Sequence, residues 1–274
     1  MIHVFCVRWG TKYSIDYVNR LYNMVKRNLR ADFKFYCQTD DTNGMDTNIV
    51  ALPFLDELPN STPEKMYSSQ EFITGLPRLW DRPKLNYWKP NGWGIKGQKM
   101  FFDLDLVIQN SLLPIVKLHK DKPLIGRSWW HNMNDEKKPF WIKNYGARCN
   151  GGMMMWNDEQ GKPLWSDLKK NAEKIYFICT GGSDNWITYR HYDKFDHIPP
   201  KYYYSFNRGC EWPHDTDMHR HRKNKIICVF NTDEYGKNKH FQLELHQAER
   251  NYECVQKYWQ KESETNTDLN MKII

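Results

Sequence analysis

The sequence predicts an α/β fold with a mostly parallel central sheet flanked by helices, on three observations. Strand, helix and strand patterns follow one another within about the first 40 residues, the signature of a βαβ unit. The chain is 40% hydrophobic and 15% aromatic, enough apolar surface for one large core over 274 residues. No internal repeat, low-complexity linker or composition boundary divides it, so residues 1–262 read as a single domain followed by a polar tail at 263–274.

The elements follow in order. Ile2 to Val7 reads as a strand. Ser14 is placed to cap a helix with Asp16 in its first turn, and apolar residues at 15, 18, 21, 22, 25 and 29 form one stripe at helical spacing. Phe33 to Cys37 is a second strand, closed by Thr39-Asp40-Asp41 and an Asn43-Gly44 turn. In parallel sheets ligands bind beyond the carboxyl ends of the strands. That places candidate nucleotide contacts in residues 6–13 and 39–41, with Val7, Tyr13 and Asp40 foremost. Helices are expected near 63–73 and 82–89, then one strand from Lys99 to Ile108 interrupted by Asp103-Leu104-Asp105. A short helix at 111–118, a strand at 123–128 and a long polar loop at 129–144 come next. Met153 to Trp156 is a strand reached through Asn150-Gly151-Gly152, where the glycines suit a tight turn. Helices at 160–174 and from Gly182-Ser183-Asp184, a strand at 226–230 and a helix at 240–259 complete the pattern.

Composition narrows the function. The seven cysteines are scattered and form no CxxC pair, which fits reduced thiols rather than a disulfide framework or a zinc site. No apolar run approaches the length of a membrane span and no leader precedes the first strand, so a cytoplasmic protein is expected. The formal charge is +7, and Arg220, Arg222, Lys223 and Lys225 form the densest basic run. That run is either a contact for an anionic acceptor such as nucleic acid or a phosphorylated glycan, or a solvated loop. His214, His219 and His221 match no standard ligand spacing.

Asp103-Leu104-Asp105 carries the chemistry. Two carboxylates one residue apart can reach the same hard divalent cation where the backbone turns, and such ions complete their coordination with phosphate oxygens. On the order of one D-x-D pattern is expected by chance in a chain this rich in aspartate. Asp215-Thr216-Asp217 is a second copy in a polar loop. Context separates the two. Asp103 and Asp105 interrupt an apolar strand, where two like charges would cost several kcal/mol without a compensating cation or partner.

The block from Phe101 through Asp103-Leu104-Asp105 to Leu112 resembles the metal-motif strand of GT-A-fold glycosyltransferases, nearest in pattern to glycogenin and the bacterial lipopolysaccharide galactosyltransferases. Further blocks fall in the family's order. Tyr13 stands where an aromatic ring can stack on uracil, and Lys84 where a basic residue contacts the donor. Asn150-Gly151-Gly152-Met153 resembles the segment lining the donor sugar. Gly182-Ser183-Asp184-Asn185 resembles the helix start facing sugar and acceptor. The last block departs from the pattern. Where relatives carry a metal-binding His, this chain has Asn231 or Asp233, depending on the register counted, and Lys239 matches a lysine near the diphosphate.

The resemblance implies a GT-A-type Rossmann-like domain that uses a UDP-sugar donor with Mn²⁺ or Mg²⁺ and retains anomeric configuration. Asp103 and Asp105 would hold the metal, completed by Asn231 or Asp233. Lys84 and Lys239 would contact phosphate oxygens, and Asn150 and Asp184 would orient the sugar and the incoming hydroxyl. The acceptor would be a glycan, a protein or DNA. Competing readings are a nucleic-acid-binding protein and another metal-dependent nucleotidyl or phosphoryl transferase. The second lacks both a Walker loop and a third acidic motif.

Overall fold

A computed structural model describes residues 1–10, 13–59, 82–131, 147–179, 182–212, 220–230 and 255–259. Its strands are β1 (Ile2–Arg8), β2 (Phe33–Thr39), β3 (Ile49–Leu52), β4 (Lys99–Phe102), β5 (Leu106–Ile108), β6 (Leu124–Arg127), β7 (Cys149–Trp156), β8 (Asp196–His197), β9 (Tyr203–Ser205) and β10 (Ile227–Val229). Seven form a central sheet in the order β3-β2-β1-β4-β7-β6-β8, and β5-β10-β9 form a small second sheet. In the central sheet β7 alone runs against its neighbours β4 and β6; every other pairing is parallel. The predicted mostly parallel sheet is therefore present.

Both faces of this sheet are covered, which is why its inner strands are apolar without alternation. Val4, Cys6, Phe35, Cys37, Met100 and Phe102 meet one face of helix α1 (Ile15–Asn28), which buries Val18, Leu21, Tyr22 and Val25 at helical spacing. Ser14 occupies the N-cap of α1 without a side-chain bond to the helix. On the opposite face Phe5, Tyr36, Phe101, Met154 and Trp156 pack with Leu164, Leu168, Ala172 and Ile175 of helix α4 (Asp158–Ile178). Burying each large side chain in these layers contributes about 1.5–3 kcal/mol. A reciprocal cap starts α4: Asn157 Oδ1 accepts from the Gln160 amide at 3.0 Å, and Gln160 Oε1 accepts from the Asn157 amide at 2.9 Å. The other helices are α2 (Arg82–Leu85), α3 (Leu113–Val116) and α5 (Ser183–Arg190).

Three expectations need correction. Residues 99–108 are not one strand. The chain leaves the central sheet after Phe102 and re-forms as β5 in the small sheet, because the carboxylates of Asp103 and Asp105 do not stay in the ladder. Gly151 and Gly152 lie inside β7 rather than in a turn. Strand β3 was not anticipated, since Ile49 to Leu52 is too short and too near the following Pro-rich stretch to announce itself. The expected helix at 63–73 and most of the one at 240–259 lie outside the described residues, and Val255–Trp259 forms one helical turn. Cys6, Cys37, Cys149, Cys179, Cys210 and Cys228 are free thiols. Among the described residues no helix is long and apolar enough to cross a membrane.

Candidate active site

Asp103-Leu104-Asp105 is the joint between the two sheets. The Asp103 amide donates to the Gly152 carbonyl at 2.9 Å, the last rung beside β7, while the Asp105 carbonyl accepts from the Phe230 amide at 3.2 Å, beyond β10. Leu104 points into the core and anchors the turn, leaving both carboxylates partly exposed at the carboxyl end of β4.

Each aspartate has a specific neighbour. Lys84, on α2 and buried, places its Nζ 2.8 and 3.0 Å from the two Asp103 oxygens. The ammonium also sits 4.9 Å from the centre of the Phe101 ring. Tyr13 donates its hydroxyl to Asp105 Oδ2 at 3.2 Å, with its ring packed against Tyr17. Burial first, then the charges of Asp105 and Asp103, push the Tyr13 hydroxyl far above the usual tyrosine range, so it remains a neutral donor.

Asp184 joins from α5. Its Oδ1 accepts from the Gly151 amide at 2.9 Å. Gly182 precedes the helix with φ 88, a conformation that favours glycine, and so turns Asp184 toward β7. A β-carbon at Gly151 would stand 2.8 Å from Asp184 Oδ1 and 3.1 Å from Lys84 Nζ, so acid and base flank one point on β7. Close approach, not turn geometry, is the reason for glycine there.

Asn150 Oδ1 accepts from the Gly152 amide at 3.2 Å and from the Tyr203 hydroxyl. Tyr203 was not foreseen. Buried on β9, its hydroxyl is pushed well above its ordinary pKa by burial and then by Asp103, Asp184 and Asp105. Its hydroxyl stands against β7, 2.7 Å from where a β-carbon on Gly152 would lie. The only sequence signal was the run Tyr202-Tyr203-Tyr204, and periodicity alone does not say which ring turns inward. Trp130 stacks on Tyr203 at 6.2 Å.

The structure thus gathers Tyr13, Lys84, Asp103, Asp105, Asn150 and Asp184. Val7 and Asp40 stand at the carboxyl ends of β1 and β2. Val7 pairs with Gln38, and Asp40 Oδ2 accepts from the Gly10 amide at 2.9 Å. Arg8 bridges the same two strand ends, its Nη1 3.2 Å from Asp41 Oδ2. Trp9, next along, is 44% exposed. Asn231, Asp233 and Lys239 lie outside the described residues. Among the described residues no three His, Cys, Asp or Glu side chains cluster as a complete metal site. Asp103 and Asp105 nonetheless offer hard oxygen donors at one partly exposed turn, and their combined negative field acts on both Tyr13 and Tyr203. That donor set fits a hard divalent cation.

No protein-family model and no curated protein sequence matches the chain. Solved structures do. The galactosyltransferase LgtC, in complex with donor and acceptor sugar analogues, matches at 12% identity and a TM-score of 0.51, with 84% of this chain and 87% of that chain covered. An active-site mutant of LgtC gives the same coverage and identity and a TM-score of 0.52. The glycosyltransferase GlyE of Streptococcus pneumoniae TIGR4 matches at 12% identity and 0.51, over 76% of this chain and 48% of that one. Like these neighbours, this chain has the GT-A glycosyltransferase fold, a mostly parallel central sheet flanked by helices.

Proposed function

We propose that this chain is a glycosyltransferase that moves a sugar from a UDP-sugar to an acceptor hydroxyl with retention of configuration. The observation that carries the reading is the convergence of Asp103, Asp105, Asp184 and Lys84 at the carboxyl end of β4. In a parallel sheet that is where a nucleotide ligand belongs.

Glycosyl transfer breaks the bond between the anomeric carbon and the diphosphate oxygen, and the electron pair leaves with the diphosphate. Stabilising that developing charge is the main catalytic demand. Mn²⁺ or Mg²⁺ would be held by Asp103 and Asp105, with Asn231 or Asp233 as further ligand, and would supply charge neutralisation to the diphosphate. Lys84, already aimed at Asp103, adds a fixed ammonium beside the same oxygens, and Lys239 a second. Asp184 and Asn150 orient sugar hydroxyls as acceptors, their own positions held by the Gly151 amide and by Tyr203. The Tyr13 hydroxyl is engaged by Asp105, so Tyr13 holds that carboxylate, while the exposed ring of Trp9 is the better platform for the base. Val7 and Asp40 would border the nucleoside. The acceptor oxygen bonds to the anomeric carbon and its proton passes to the departing diphosphate, so no side-chain base is assigned. The free thiols of the described cysteines suit a cytoplasmic setting.

UDP release from a panel of UDP-sugars with Mn²⁺, Mg²⁺ or EDTA tests the reading. Release confined to one donor, dependent on metal and abolished in Asp103→Ala and Asp105→Ala, supports it. No release, with neither UDP nor Mn²⁺ bound in calorimetry, sinks it.

A further inference from the structure

The basic run identified in the sequence belongs to a larger surface. Three described stretches, 17–31, 220–230 and 255–259, contain nine Lys or Arg and no Asp or Glu. The whole chain carries +7, so everything outside these stretches is slightly acidic. The structure brings the three together. Arg27 of α1 donates to the Tyr258 carbonyl, and the Arg20 guanidinium lies 4.4 Å from the centre of the Trp259 ring. His221 meets Tyr258 edge-on at 5.6 Å. Asn28, at the end of α1, donates to the Ile108 carbonyl at 3.3 Å, one residue before the pair that fixes the basic loop.

That loop is held by its backbone. Gln109 Nε2 donates to the Arg222 carbonyl at 2.9 Å, Asn110 Nδ2 to those of Lys223 at 2.9 Å and Lys225 at 2.6 Å, and the Arg222 amide to the Tyr204 hydroxyl at 3.1 Å. Lys225 is tied down as well, its Nζ donating to the Pro200 carbonyl at 2.7 Å. Lys26, Arg30, Arg220, Lys223 and Lys257 are exposed. Lys26 and Arg27 also complement the carboxyl end of α1.

We propose that this face binds nucleic acid through its phosphates. Nine cations in three adjoining stretches that hold no carboxylate are the electrostatic footprint of a polyanion. The aromatic residues here are recessed behind the cations, Trp259 being 1% exposed, whereas a membrane-bound face would present such rings outward. The surface is separate from the aspartate pair yet rigidly tied to it. Asn110 follows Asp105 by five residues along β5, roughly 15 Å at the rise of a strand. The proposal does not depend on the glycosyltransferase reading.

Binding of the full chain to a short mixed-sequence DNA duplex, titrated by fluorescence anisotropy across salt, tests it. Affinity should fall steeply with salt, by about 0.9 log units per log unit of salt for each phosphate contacted. Arg220→Glu combined with Lys223→Glu, both exposed positions, should weaken binding at least about tenfold and flatten the salt dependence. Lys170→Glu with Lys174→Glu, exposed on α4 across the sheet, should leave binding nearly unchanged. Equal losses in the two variants, or no binding at low salt, would overturn the proposal. So would binding to phosphatidylserine vesicles by a protein that ignores the duplex.

Discussion

Lys84 holds Asp103 with its ammonium nearly equidistant from the two carboxylate oxygens, at 2.8 and 3.0 Å. The pair forms a preset charge arrangement at the end of β4, where one partner lies on a helix and the other on a strand joint. Lys84→Met should lower the maximal rate of donor cleavage about 10²–10³-fold, the usual loss when one stabiliser of a developing oxyanion is removed. Lys84→Arg should not restore it, since a planar fork does not replace a compact ammonium in a buried slot. Asp103 is one-third exposed, so its stranded charge stays solvated and stability should drop by only about 1 kcal/mol. Steady-state rates and thermal melts check both parts.

Gly151→Ala separates folding from activity. The added β-carbon would meet Asp184 Oδ1 at 2.8 Å and Lys84 Nζ at 3.1 Å, both ends of side chains that can move aside. The protein should fold with a loss of about 1–2 kcal/mol while activity falls at least about 100-fold, because a misplacement of about 1 Å in the site is enough. By contrast, Gly126→Ala drives its β-carbon to 2.6 Å from the Asn150 backbone carbonyl and should destabilise the fold itself by about 3 kcal/mol. Denaturant curves beside activity assays distinguish the two.

Tyr13→Phe removes the hydroxyl that donates to Asp105 and keeps the ring on Tyr17. Groups that orient metal ligands are worth about 10–100-fold in metal affinity. The variant should need about tenfold more Mn²⁺ for half-maximal donor cleavage, with little change in rate at saturation. A metal titration with no shift would mean that the hydroxyl does not orient the carboxylate.

Asp167 controls the seat of α5. Its carboxylate accepts from Trp186 Nε1 at 3.0 Å, Arg190 Nε at 2.8 Å, His191 Nε2 at 2.8 Å and Asn171 Nδ2 at 2.9 Å. Burial alone would raise its pKa, but the hydrogen bonds from Arg190, Trp186, His191 and Asn171 outweigh it and hold the carboxyl well below the usual range. A depressed folded-state pKa contributes stability that is complete above the unfolded value, near 4, and disappears as pH falls toward the folded one. Asp167→Asn should therefore cost about 2–4 kcal/mol at neutral pH. The gap to the parent protein should narrow below about pH 4. Denaturant unfolding at several pH values checks this.

Much of the architecture was legible because local pattern and tertiary role agree in it. The stripe on α1 and the apolar runs of β1, β4 and β7 each point to one outcome, whereas the Asn157–Gln160 cap that starts α4 went unread. Asp103 and Asp105 stood out because charge interrupted such a run. Their split between two sheets did not, since Leu106 to Ile108 is equally apolar whichever sheet receives it. Tyr203 and Trp130 were illegible for a related reason: their roles depend on contacts across tens of residues that no short window contains. The reason for glycine at Gly151 was not legible, because a glycine that admits a neighbour and one that permits a turn look alike in sequence.

The reversed sense of β7 has a consequence for how the protein can diversify. Because β6 ends and β7 begins at the same rim, the chain between them leaves and returns beside Asn150, and the Ser128 amide closes the gap on the Arg148 carbonyl at 2.8 Å. The register between β6 and β7 is therefore set by residues 124–128 and 148–156 themselves, so a change of length in the chain that joins them is absorbed at a single rim.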